Sequence, residues 1–209
     1  MSILYAKSLL NPSMKKTIKS FLVLFSVVFL SYAANAQLRL PGITNGDVRQ
    51  ALEKVIADYP RGFSTLKGEV LNNNPQTVEY ASMLQFKTAE RNTITEYSGK
   101  QPVFSWQALM VTEEEFTVAE KKYKSLYKDL KGMTLTLNRD YSYGLDGKFG
   151  EADESKKFAT STFFLTPNAA NLPKVRVELS MQYEMTEWKI YLTVYQKERE
   201  DNERGKTVE

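Results

Sequence analysis

The chain has 209 residues and neither a cysteine nor a histidine among them. Without cysteine there is no disulfide, so the fold must be held by its core alone, and an N-terminal lipidated cysteine is excluded. Without histidine the commonest general base and the commonest transition-metal ligand are gone. The Ser-His and Cys-His dyads go with them. No P-loop, G-x-G-x-x-G or G-x-S-x-G motif occurs, so nucleotide binding and α/β-hydrolase chemistry have no support. A basic surface is missing as well, although the net charge of +3 suggests one. Residues 1–36 carry Lys7, Lys15, Lys16 and Lys19 and no acid. From Gln37 onward acidic residues outnumber basic ones by one, which gives no footprint for nucleic acid.

Residues 14–36 carry the clearest address in the chain. Lys15, Lys16 and Lys19 precede the apolar run Phe21 to Ala33, and Ala34-Asn35-Ala36 follows as a small-x-small cleavage site. This is the pattern of a secretory signal peptide. The run falls short of the roughly 20 apolar residues that span a bilayer. Cleavage is expected after Ala36, with export to the periplasm or beyond the cell. Met14 suffices as a start, so residues 1–13 read as a lengthened leader or as an upstream start codon.

What remains suits one domain, residues 37–196, or two small packed halves. Val48, Leu52, Val55, Ile56 and Tyr59 fall on one face of a helix over Asp47 to Asp58, which Pro60 stops. Strands are expected over Gly62 to Val70, Thr77 to Lys87, Thr93 to Ser98 and Val103 to Val111, with a turn at Asn72 to Pro75. A second helix is expected from Glu113 to Lys131, with Phe116, Tyr123, Tyr127 and Leu130 as its stripe, Thr112 with Glu115 or Thr117 with Glu120 capping its start, and Gly132 as its stop. Four more strands follow: Met133 to Asn138, Phe158 to Thr166, and a hairpin of Val175 to Met185 with Trp188 to Val194. Residues 140–156 read as a polar, acidic loop, and residues 197–209 as a charged, disordered tail. The fold class is therefore α+β: an antiparallel sheet of about eight strands with two packed helices. The order of helix and four strands, twice, leaves open two helix-plus-meander halves.

The candidate chemistry is sparse. Asp146, Glu151, Asp153 and Glu154 are closely spaced, but their spacing does not match an EF-hand, and a solvated loop accounts for them; no metal is expected. Strand carboxylates such as Glu79, Glu96, Glu178, Glu184 and Glu187 are what a solvated sheet face presents, so a catalytic pair has little support. Aromatics stand out more. Trp106 lies on a strand apolar on both faces, and Tyr191 and Tyr195 lie opposite Ile190 and Leu192. If uncovered, Trp106, Tyr191 and Tyr195 form a recognition platform; if a helix or loop covers them, they are core. The expectation is a non-catalytic exported protein that binds a protein or envelope component through a sheet face. It needs no cofactor, and its oligomeric state is open. The alternatives are a carrier of an apolar small molecule, with Val103 to Val111 lining its pocket, and a carboxylate-dependent hydrolase.

Overall fold

The last hairpin shows how the alternation works out in space. Val175–Glu184 (β8) and Glu187–Gln196 (β9) pair antiparallel, with Leu179 opposite Leu192 and Met181 opposite Ile190, all on one face. The computed structural model describes residues 45–196 apart from residues 85, 100, 101, 139, 140, 168–171 and 173. The leader, the cleavage site and the charged tail lie outside the described residues.

Among the described residues nine strands make one antiparallel sheet. The first meander is Lys67–Asn73 (β1), Thr77–Ser82 (β2), Arg91–Tyr97 (β3) and Val103–Glu113 (β4). The second starts with Thr134–Asn138 (β5), Tyr141–Lys148 (β6) and Phe158–Thr166 (β7), and ends with β8 and β9. The order is β1-β2-β3-β4-β9-β8-β7-β6-β5, so the two meanders meet where β4 pairs with β9. The sheet is open, with β1 and β5 at its edges. The halves hold four and five strands, not four each, because the stretch read as a loop contains β6.

Among the described residues two α-helices, Asn45–Asp58 (α1) and Phe116–Leu130 (α2), fill one face. In α1, Val48, Leu52, Val55 and Ile56 are at most 1% exposed, as the 3.6-residue spacing requires. Glu53 accepts a hydrogen bond from the Thr136 backbone N–H at 2.9 Å, so α1 also covers part of the β5 edge. In α2 the buried stripe is Ala119, Tyr123, Leu126, Tyr127 and Leu130. Its course from β4 at the centre to β5 at the edge takes it across the sheet. Tyr123 Oη lies 2.7 Å from Ser161 Oγ on β7, and Tyr127 Oη donates to the Gly147 carbonyl on β6 at 3.0 Å. The helix ends where Gly132 adopts φ +77, a left-handed turn that costs a glycine nothing. Neither expected capping pair forms: Glu115 is the N-cap and makes no side-chain bond there.

The segment after α1 departs from the expected strand. Tyr59–Arg61 makes a 3-10 turn, and Gly62 and Phe63 both take positive φ before β1 begins at Lys67. Asp58 organises this turn. It is 2% exposed and accepts from Arg61 Nε at 2.7 Å and from the Thr65 backbone at 2.9 Å. Burial works to raise its carboxyl, but the Thr65 and Arg61 hydrogen bonds outweigh it and hold the pKa below the usual carboxylate value. A left-handed Phe63 is a strained choice, and its fully buried ring offsets the strain.

Candidate functional site

Trp106 belongs to the core. Phe104, Trp106 and Ala108 turn toward the helix side, because β4 is a central strand there with Ile94 of β3 and Val194 of β9 as the neighbours of Trp106. Its ring is fully buried, packs 6.2 Å from Phe86, and donates through Nε1 to Ser82 Oγ at 3.2 Å. The condition that would make it a recognition residue, an uncovered side chain, is not met. Part of the two-sided apolar character of this strand, at Val111, has a backbone cause. A register shift between Leu109 and Val111 breaks the alternation, and Met110 and Val111 are both buried.

Tyr191 and Tyr195 do lie on the opposite face, the one against which neither α1 nor α2 packs. They are nevertheless only 6% exposed each. Their hydroxyls are tied to carboxylates of β8: Tyr191 Oη donates to Glu184 at 2.8 Å, and Tyr195 Oη to Glu178 at 3.1 Å. Glu184 also accepts from Gln182 Nε2 at 2.6 Å and pairs with Lys189 at 3.3 Å. Burial first, then the hydrogen bond and the charge of Glu184, push the Tyr191 phenol well above its ordinary value; Arg91 and Gln182 pull the other way. Sequence reading placed the two tyrosines on the right face and missed the carboxylates beneath their hydroxyls. The signal was present, since Glu178, Gln182 and Glu184 occupy the polar positions of β8.

The same face exposes two large apolar side chains, Phe158 and Phe164 of β7, each 45% exposed. Phe158 stands opposite Gln182, and Phe164 opposite Asp146. The patch is thus a charge-mixed, hydroxyl-rich surface with aromatic points.

The other carboxylates act as structural acceptors. Glu96 accepts from Lys67 at 2.9 Å and from Tyr80 Oη at 3.0 Å, while the Lys67 ammonium stands over the Phe104 and Tyr80 rings. The Lys67 hydrogen bond lowers the Glu96 pKa. Asp153 accepts from the Ser155 hydroxyl and backbone, which lowers its pKa and forms the short turn Glu154–Lys156. Asp146 receives its own neighbour Gly147 N–H at 2.9 Å. A general acid needs the opposite perturbation, a carboxyl held protonated. Asp58, Glu96 and Asp153 are all held more acidic.

Comparison with family models, with curated proteins and with solved structures gives no match.

Proposed function

We propose that this is a non-catalytic binding protein, exported to the periplasm or the cell exterior, which recognises a protein or another macromolecule through the sheet face that carries neither helix. The observation behind this reading is the fixed array on β7, β8 and β9. Tyr191, Gln182 and Lys189 converge on Glu184, Tyr195 is tied to Glu178, and Phe158 and Phe164 stand exposed beside them. Side chains already held by one another lose little freedom when a partner arrives, and exposed aromatics provide buried area.

Because both tyrosine rings are buried, replacing them with serine tests folding more than binding. The exposed phenylalanines are the better probe. Phe158→Ser with Phe164→Ser is expected to keep the fold and to weaken capture of an envelope partner by about tenfold or more, the size of a modest binding hot spot. The control is Val70→Ser with Leu71→Ser on β1, two apolar side chains exposed to a similar degree. Undiminished capture by the β7 pair, or loss in the β1 pair instead, would sink the proposal.

A further inference from the structure

A second surface lies where the β4–α2 corner meets the β8–β9 turn. Its floor is aromatic. Trp188 is 3% exposed, with the Phe116 ring against it at 5.0 Å and the Tyr183 ring at 5.1 Å. An open cleft of about 480 Å³ lies over these rings, with Glu115, Glu154 and Lys157 on its rim. A second cleft of about 530 Å³, bounded by Val118 and Glu187, adjoins it and shares Glu114 and Glu115.

We propose that this groove binds an arginine-bearing peptide segment of another protein. Two separate observations point to that chemistry. The first is the floor: aromatic faces attract cations, and the groove already uses this, since Lys157 Nζ stands 5.2 Å over the Tyr183 ring. The second is the imbalance of charge on the rim. Among the described residues Glu113 is paired with Lys122, whereas Glu114, Glu115, Glu154 and Glu187 make no ion pair. Among the described residues Lys157 is the single cation lining the groove. The partial positive charge at the start of α2, roughly half a unit, does not cancel this excess, so an anion is repelled and a cation drawn in. A guanidinium meets both features at once: it stacks on rings and forks onto carboxylates, which an ammonium does less well. Two clefts in series with a shared acidic pair suit an extended segment better than a compact ligand. The groove is on the helix side, at one end of β8 and β9, and does not depend on the reading of the opposite face.

The test is titration of the whole protein with labelled hexa-arginine, hexa-lysine and hexa-glutamate peptides, followed by fluorescence anisotropy. Hexa-arginine is expected to bind in a salt-sensitive way, hexa-lysine several-fold more weakly, and hexa-glutamate not at all. Glu114, Glu115 and Glu154 are exposed. Glu114→Gln, Glu115→Gln and Glu154→Gln together should keep the fold and weaken hexa-arginine binding about tenfold or more, three surface charges being removed. Lys157→Gln should tighten it. In a parallel NMR titration the Trp188 indole resonance should move and that of Trp106, which does not line the groove, should not. Unchanged affinity in the triple variant, hexa-lysine binding as tightly as hexa-arginine, or a Trp188 resonance that stays put while peptide binds, each overturns the proposal.

Discussion

The two sides of β9 are buried to nearly the same depth by different forces. Inward, Trp188, Ile190, Leu192 and Val194 are 0–3% exposed and belong to the apolar cluster under the helices. Outward, Tyr191 and Tyr195 are 6% exposed and lie outside that cluster, with hydroxyls held by Glu184 and Glu178. A low exposure therefore does not by itself mark a core residue. The inward side depends on area removed from water, which offers pH no charge to titrate and dilute salt no charge to screen. The outward side depends on hydrogen bonds to partly exposed carboxylates, which answer to both.

The largest effect should come from the inward side. Trp188→Ala removes a ring that Phe116 and Tyr183 both contact, and the expected cost is about 3–5 kcal/mol in urea unfolding. A loss below about 1 kcal/mol would mean that the two sides are held by forces of similar size, and the contrast would fail.

That inward side was the part most legible in the sequence. Strict alternation over β8 and β9, and the 3.6-residue stripes of α1 and α2, carry their own geometry. Where the reading failed, a glycine had two meanings. Gly144 and Gly147 made residues 140–156 look like a loop, yet both lie in β6. At Gly147 a Cβ would come within 2.5 Å of the Thr162 carbonyl oxygen, so the residue serves close packing and not a turn. The segment after α1 failed for another reason, since Asp58 folds it by contacts up to seven residues away that no periodicity displays. At Trp106 the alternation left a platform and a core position both open, and its full burial in the apolar cluster decides for the core. The aromatic groove was not legible at all. Phe116 and Trp188 are far apart in the chain and meet only because β9 returns to pair with β4.

A smaller effect sharpens the contrast from the outward side. Tyr191→Phe keeps the ring and deletes its hydroxyl. Glu184 keeps Gln182 and Lys189, so no carboxylate is orphaned. The expected loss is about 1 kcal/mol. In a double-mutant cycle with Glu184→Gln the two losses should be less than additive, because Glu184→Gln takes away the charge that strengthens the bond Tyr191→Phe deletes. Full additivity would show that the hydroxyl and the carboxylate are neighbours without being coupled.

The smallest effect separates the two kinds of burial by titration. Tyr123, under the helices, has its phenol pushed up to about 12 by burial, against the opposing Ser161 hydrogen bond. Tyr191 is also raised by burial, but Glu184 adds to the shift through its hydrogen bond and its charge. A phenol whose folded pKa lies above the unfolded value near 10 contributes stability that is complete below about pH 10 and is lost as pH rises through the folded pKa. Both tyrosines therefore make the protein labile to alkali, and the carboxylates that add to the two shifts differ: Glu184 acts on Tyr191 by hydrogen bond and charge, Glu178 on Tyr123 by charge alone. Tyrosinate absorbance of Glu184→Gln should show one phenol titrating earlier than in the parent chain, while the group near 12 stays in place. The decline of the urea midpoint above pH 10 should become shallower in the variant, since less of the Tyr191 shift remains to be lost. An alkaline titration identical in parent and variant would assign the Tyr191 shift to burial alone, and the two sides of β9 would then be held in the same way.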